Sequence, residues 1–127
     1  MEKRRKHTLE DFTSGKTLLV DKPIGWTSFG VVNKLRHAIC QRFGIRKIKV
    51  GHAGTLDPLA TGLLIICTGK STKQIDRYQG LPKEYTGTIL LGATTPSYDA
   101  ETEVDRSYPV GHIDRDLLES AREEFLG

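Results

Sequence analysis

Length and composition place the chain among single globular domains. It has 127 residues, of which 37% are hydrophobic and 28% charged, with no apolar signal-peptide core and no run near the roughly 18 apolar residues of a membrane-spanning helix. Residues 1–50 carry 12 Lys and Arg against 4 Asp and Glu, whereas residues 51–127 carry 7 against 12. A basic half can attract a polyanion such as nucleic acid or form an ordinary solvated surface, and both interpretations stay open. We expect a cytoplasmic protein that contacts no membrane.

The first half of the chain is predicted to hold a mobile tail, a strand, a turn and a helix. Residues 1–15 open on basic residues and contain few apolar anchors, so a solubilising tail and an RNA-contacting arm both stay open. Residues 17–20 are predicted to form a strand that ends at the turn 22–25, and a helix capped by Thr27 or Ser28 follows. The helix carries an apolar stripe formed by Val32, Leu35 and Ile39. It is predicted to end at Gly44.

The second half is predicted to arrange strands and helices around one unusual loop. A short strand at 48–50 leads into the loop 51–62, and the apolar run 63–67 is predicted to be a strand covered on both faces. Further predictions are a helix at 71–78, a strand at 84–93, a polar loop at 94–103 and a helix from Asp114 with Leu117, Leu118, Ala121 and Phe125 on one side. Together these elements predict an α+β fold with a mixed, largely antiparallel sheet and flanking helices.

The loop 51–62, GHAGTLDPLATG, is the most informative stretch. Three glycines and a proline in twelve residues indicate backbone angles that a plain linker does not require. Asp57 precedes Pro58, which favours an extended backbone and removes the next N–H donor, so the carboxylate can act as a nucleophile, a base or a ligand. An aspartate before proline is also a common turn residue, and His52 is also consistent with a purely structural histidine.

Several other chemistries do not fit the sequence. His52 and Asp57 lack neighbours with metal-ligand spacing, so we predict no metal site. Cys40 and Cys67 lack the spacing of a zinc site or a disulfide framework and are predicted to be buried thiols. The loop also lacks the lysine of a phosphate-binding P-loop, and the chain has no GxSxG nucleophile pattern.

The loop 51–62 resembles the catalytic-aspartate motif of the TruB family of tRNA pseudouridine synthases, which reads GH-small-GTLDPLATG. Two further features of that family are present, DKPxGxTS at residues 21–28 and K-x-Y at residues 83–85. The segment LGATTPSYDAETEV at residues 91–104 also resembles the family. The similarity therefore extends from about residue 16 to the last residue of the chain.

This resemblance implies that a uridine in the TΨC stem-loop of transfer RNA is isomerised to pseudouridine, with no cofactor and no metal. Asp57 matches the catalytic nucleophile, and its attack on C1′ of the ribose or on C6 of the base stays open. Tyr85 matches the tyrosine that stacks on the flipped-out uracil, and His52 matches the histidine that helps to position the nucleotide. The residues expected to support the loop are Lys22, Pro23, Gly54 and Thr55.

The resemblance also implies a larger catalytic domain. We expect residues 1–15 to be a basic tail and residues 16–127 to be the amino-terminal part of a domain that is monomeric when full length. A later family motif, K-G-T-Y-[IV]-R, supplies an arginine that pairs with the catalytic aspartate, and this sequence holds no match to it. We therefore expect the chain alone to be inactive. The alternative is an RNA-guided or non-catalytic RNA-binding scaffold of the related dyskerin type.

Overall fold

The computed structural model describes residues 6–127, and the chain divides into two units, Met1–Lys83 and Glu84–Gly127. The boundary falls within the stretch 16–127 that was predicted to be part of one catalytic domain. Most of the predicted basic run at the start of the tail, Lys3, Arg4 and Arg5, lies outside the described residues.

A three-stranded antiparallel sheet is the framework of the first unit. Its strands are β1 (Lys16–Lys22), β2 (Val50–His52) and β3 (Gly62–Thr68), with β3 in the middle. Lys22 pairs with Gly62 at the end of β1, and His52 pairs with Ile66 at the end of β2. Both ends of the loop 51–62 are thereby attached to the central strand.

The first unit has one more helix than predicted, because residues 9–14 of the predicted mobile tail are helical. Its helices are α1 (Leu9–Ser14), α2 (Ser28–Phe43), a 3₁₀ helix (Gly69–Gln74) and α3 (Ile75–Gln79). The predicted limits of α2 are confirmed, because the Thr27 hydroxyl accepts a hydrogen bond from the Gly30 N–H at 2.9 Å and Gly44 ends the helix at a φ of +63°. The helix predicted at 71–78 is observed as the 3₁₀ helix followed by α3, and residue 71 lies inside the 3₁₀ helix.

The core of the first unit lies between α2 and the sheet. Val31 and Val32 of α2 meet Leu64 and Ile66 of β3, and all four side chains are buried. Five partly buried side chains pack against this cluster: Leu18, Val20, Leu35, Val50 and Leu56. Burial of such side chains contributes roughly 1.5–3 kcal/mol each, so this cluster holds α2 to the sheet. Since Leu56 belongs to the loop 51–62, the loop is attached to the core one residue before Asp57.

Two strand predictions require correction. The strand predicted at 48–50 is observed at 50–52. The strand predicted at 63–67 is present and extends to Thr68, but it is not covered on both faces at its start, because the side chain of Leu63 is 61% exposed. Leu63 pairs with Asp21 of β1, near the end of the sheet, and the described residues do not cover it there.

Within the predicted tail 1–15, residues 9–14 form the helix α1. A reciprocal capping box starts this helix, since the Thr8 N–H donates to Asp11 at 2.8 Å and the Asp11 N–H donates to the Thr8 hydroxyl at 3.3 Å. The hydroxyl of the buried Thr68 donates to the Phe12 carbonyl at 2.8 Å, which ties α1 to the end of β3. The residues Thr8 and Asp11, three positions apart, are the sequence signal for this helix.

The second unit contains little regular structure before its final helix. Strands β4 (Ala93–Thr94) and β5 (Arg106–Ser107) form a short antiparallel pair. The strand predicted at 84–93 is wrong over residues 84–92, where the structure has no ladder and Ile89 and Leu90 are more than 80% exposed. An alternating pattern stabilises a strand only when a neighbouring strand supplies hydrogen bonds. The Gly92 carbonyl accepts one from the Tyr108 N–H at 2.8 Å, whereas the described residues supply no backbone partner to residues 84–91.

The loop before β5 and the last helix are held by local hydrogen bonds. The Ser97 hydroxyl at 2.6 Å and the Glu101 N–H at 2.9 Å donate to the Asp99 carboxylate, so the pKa of Asp99 is lowered from its ordinary value. The predicted last helix is confirmed as α4 (Arg115–Glu124), with Asp114 as its cap through a 2.8 Å bond from the Leu117 N–H. Its predicted apolar side is exposed to solvent at Leu117, Leu118 and Phe125.

The α+β class and the antiparallel sheets agree with the prediction, although all observed strand pairs are antiparallel rather than mixed. Among residues 6–127, no helix has both the length and the apolar character that crossing a membrane requires. Cys67 is buried as predicted, whereas Cys40 on α2 is only half-buried.

This difference between the cysteines predicts different reactivity. Burial raises the pKa of the Cys67 thiol, and a hydrogen bond with Thr17 offsets only part of that effect. At about pH 8, a thiol reagent should therefore modify Cys40 in the folded chain and reach Cys67 only after unfolding. Mass spectrometry of the parent chain and of the Cys40→Ser variant measures both rates. Equal rates for the two thiols in the folded protein would contradict the burial of Cys67.

Candidate active site

The loop 51–62 has a defined backbone that depends on glycine. Gly54 has a φ of +114° and Gly62 a φ of +139°, angles that residues with a side chain rarely adopt. The Ala53 N–H donates to the Ile65 carbonyl at 2.8 Å, which continues the attachment to β3 beyond β2. The predicted supporting role of Gly54 is consistent with its backbone angle, whereas Thr55 is exposed and has no described hydrogen bond through its side chain.

The residue before Asp57 is held by a buried serine. The hydroxyl of Ser28 accepts a hydrogen bond from the Leu56 N–H at 2.8 Å and donates to the Leu56 carbonyl at 3.0 Å. Ser28 is 2% exposed and is the first residue of α2. Both polar groups of the Leu56 backbone are therefore fixed to the start of that helix, while its side chain packs against the core.

The residue after Asp57 is held by the turn 22–25. The Pro58 carbonyl accepts one hydrogen bond from the Gly25 N–H at 2.7 Å and another from the Lys22 ammonium at 3.3 Å. Gly25 has a φ of +82°, which aims its N–H at the loop. The turn and the loop are therefore joined by two bonds to one carbonyl oxygen.

Lys22 is fully buried, and its ammonium donates hydrogen bonds to backbone carbonyl groups. Its Nζ donates to the carbonyls of Pro23 at 3.0 Å, Trp26 at 2.6 Å and Pro58 at 3.3 Å. An ammonium has three N–H groups, so these three acceptors satisfy it completely. The Pro23 carbonyl and the Pro58 carbonyl of the loop thus share one ammonium, while the supporting role of Lys22 and Pro23 remains a prediction.

Asp57 lies between these two anchored residues and is exposed to solvent. Its backbone carbonyl accepts a bond from the Ala60 N–H at 3.0 Å, which closes a turn after it. In the part of the chain that the structure describes, its carboxylate makes no hydrogen bond or ion pair. The backbone is therefore held on both sides while the carboxylate remains available to a substrate.

His52 stands at the start of the same loop and is half-buried. Its Nδ1 lies 3.1 Å from the Gly54 carbonyl oxygen. A carbonyl can only accept, so Nδ1 donates this bond, and Nε2 is an acceptor whenever the ring is neutral. This bond sets the orientation of the imidazole.

Tyr85 belongs to the second unit, and its side chain is 73% exposed. Its position beside Asp57 remains a prediction.

Among residues 6–127, no group of three or more His, Cys, Asp or Glu side chains is arranged to hold a metal ion.

Comparisons with known proteins agree with the features of this loop. A sequence model of the TruB family pseudouridylate synthases, covering their N-terminal domain, matches residues 41–127. The chain belongs to this family. The match includes the loop 51–62 and Tyr85, whereas the turn 22–25 lies before its first residue.

Individual relatives extend the similarity over more of the chain. The tRNA pseudouridine synthase B of Phocaeicola vulgatus is 59% identical over 117 residues, which cover 92% of this chain and 50% of that protein. The proteins of the same name from Bacteroides thetaiotaomicron and Flavobacterium johnsoniae are 58% identical over 117 residues and 55% over 121. These matches cover 92% and 94% of this chain, and 49% and 53% of the two relatives. The chain thus spans about half the length of the relatives it matches.

Sequence reasoning did not identify Ser28 as part of the site. It was considered only as a helix cap, although Thr27 takes that position and the Ser28 hydroxyl bonds Leu56 instead. The contact joins residues 28 positions apart, so no local pattern identifies Leu56 as the partner. The sequence shows only that a second hydroxyl follows Thr27, which is sufficient to cap the helix.

The arrangement around Lys22 predicts a large effect of its removal. Lys22→Met removes the ammonium that donates to the carbonyls of Pro23, Trp26 and Pro58. The Pro58 carbonyl keeps its bond from the Gly25 N–H, whereas the other two lose their bond to the ammonium. We expect the free energy of unfolding to fall by about 3 kcal/mol, measured by urea denaturation, with faster amide exchange at residues 56–60.

The exposed Lys73 offers a matched control on the same unit. Lys73→Met should change the free energy of unfolding by no more than about 0.5 kcal/mol. If both variants had the same stability, the buried ammonium would not be what joins the turn to the loop.

Proposed function

We propose that the chain is the amino-terminal part of an enzyme that isomerises a uridine in the TΨC stem-loop of transfer RNA to pseudouridine. The observation that carries the proposal is the exposed, unpartnered carboxylate of Asp57, held between two anchored residues in a loop of the TruB family. Relatives that match the chain are named tRNA pseudouridine synthase B, which supports a pseudouridine-forming reaction on transfer RNA. Since the chain spans about half their length, we assign the activity to a protein that also contains the remaining half.

Asp57 has the chemistry that this reaction needs. The glycosidic bond between N1 and C1′ breaks, the uracil turns, and a new bond forms between C5 and C1′. The C5 proton is lost and N1 gains one, so substrate and product are isomers and no oxidant or reductant takes part. A carboxylate beside the nucleotide can attack C1′ or C6 and leave again when the new bond has formed. We assign this role to Asp57.

Two other residues are proposed to hold the nucleotide. A base within a folded RNA loop must leave its stack before its glycosidic bond can be reached, and an aromatic ring then replaces its stacking partner. We assign this stacking role, and assistance in removing the C5 proton, to Tyr85. His52 presents Nε2 as a hydrogen-bond acceptor when its ring is neutral, which suits a positioning role toward the ribose or base.

We also propose the cofactor requirement, the partner, the location and the oligomeric state of the full-length enzyme. The reaction as written needs no cofactor and no metal ion. Transfer RNA is the partner, the location is the cytoplasm, and the full-length protein acts as a monomer. Residues 16–127 form part of the catalytic domain, and the chain alone is expected to be inactive because the arginine partner of the aspartate is not among its residues.

A chimera tests the role of Asp57. In it, this chain replaces the matching half of the tRNA pseudouridine synthase B of Phocaeicola vulgatus, whose match covers 92% of the chain. We expect pseudouridine to form in unmodified transfer RNA without any other component. Asp57→Asn removes the nucleophile and should lower the single-turnover rate by at least about a thousandfold.

The control for this variant is Asp76→Asn, which neutralises another exposed carboxylate of the same unit and should leave the rate unchanged. Normal turnover by Asp57→Asn would contradict its assignment as the nucleophile. Activity that appears only after a guide RNA and partner proteins are added would favour the dyskerin-type alternative.

The charge distribution predicts how salt affects RNA binding. Arg46 and Lys47 are exposed and precede the loop 51–62 along the chain. If each contacts a phosphate, its change to Gln should reduce the slope of log affinity against log salt concentration by about 0.7–0.9. Filter binding over a range of salt concentrations measures this slope. Arg115→Gln in the acidic second unit is the matched control, and an equal effect of all three changes would contradict a phosphate-binding role for the basic half.

A further inference from the structure

An exposed aromatic surface borders the loop that carries Asp57. We call it the aromatic patch and define it as Ile24, Trp26, Phe29 and Arg36. The side chains of Ile24, Trp26 and Phe29 are 64%, 41% and 59% exposed. Large apolar side chains exposed beside a candidate site mark a candidate binding surface.

Local contacts hold the patch in place. The Trp26 ring lies against α2 at Gly30, where its Cε3 atom is 3.8 Å from the position that a Cβ would occupy. The Arg36 guanidinium carbon lies 6.0 Å from the centre of the Phe29 ring, which is within the range of a cation–π contact. A planar cation thus accompanies an exposed ring on the same helix.

The backbone of the patch is bonded to both residues that flank Asp57. The Trp26 carbonyl shares the Lys22 ammonium with the Pro58 carbonyl, and the Gly25 N–H donates to that same Pro58 oxygen. Ser28, next to Phe29, holds Leu56. The segment that carries Trp26 and Phe29 is therefore attached to the loop on both sides of Asp57.

We propose that the aromatic patch is a stacking platform for an unpaired nucleotide of the RNA substrate, outside the uridine that reacts. This inference rests on the proposed function. The charge of the unit favours RNA over an apolar protein segment, because residues 1–83 carry 16 Lys and Arg against 6 Asp and Glu. Aromatic rings and arginine planes are the groups on which proteins stack unpaired bases, while the guanidinium of Arg36 can also contact a phosphate.

The fluorescence of Trp26 tests the platform directly, because it is the chain's one tryptophan. The chain is titrated with a TΨC stem-loop RNA, and binding is measured in parallel by filter retention. A base that stacks on the indole quenches its emission, so we expect quenching that follows the binding curve. Phe29→Ala should weaken RNA binding about 5- to 150-fold, the effect of losing one stacked base.

Two substitutions at Phe29 distinguish stacking from simple apolar contact. Phe29→Leu keeps an apolar side chain without a ring and should weaken binding like Phe29→Ala, whereas Phe29→Tyr keeps the ring and should bind normally. Leu19→Ala, which changes another exposed apolar residue of this unit, should also bind normally.

The outcomes separate this inference from the proposed function. RNA that binds without changing Trp26 emission, and that binds Phe29→Leu normally, would overturn the platform and assign the patch to another partner, even if the chimera is active. Quenching together with ring-dependent binding supports the platform even if the chimera forms no pseudouridine. A parent chain that retains no RNA at low salt also overturns the platform.

Discussion

The site depends on one buried cation. Taking an ammonium out of water costs several kcal/mol unless hydrogen bonds replace its hydration. Lys22 meets this requirement with three backbone carbonyls from two separate segments, so its burial holds only while the turn 22–25 and Pro58 stay together. Because the ammonium bonds carbonyls rather than a carboxylate, it shapes the loop without pairing with Asp57.

The loop combines this polar attachment with an apolar one. The half-buried Leu56 packs against the core, whereas the next residue, Asp57, is exposed. The core and Ser28 thus hold the residue before Asp57, and Lys22 holds the residue after it. A backbone held on both sides limits the positions that the Asp57 carboxylate can reach, which suits the catalytic role proposed for it.

The sequence predicts those parts of the structure that depend on local chemistry. Thr27 and Gly44 reveal the limits of α2, and the glycines of the loop 51–62 reveal a shaped backbone. The predicted strand at 84–93 fails because a strand also needs a partner, which alternation along one segment cannot supply. The burial of Lys22 was not predictable from composition either, since an isolated lysine is almost always exposed.

The motif DKPxGxTS at residues 21–28 acquires a physical meaning from these contacts. Lys22 supplies the ammonium, Gly25 the positive φ and an N–H, and Ser28 the hydroxyl that holds Leu56. The variable positions of the motif are Ile24 and Trp26, and both expose their side chains. Trp26 contributes a backbone carbonyl to Lys22, a contact that any residue can make. The contacts that hold the loop do not use the side chains of Ile24 and Trp26, so both side chains remain available to contact a binding partner.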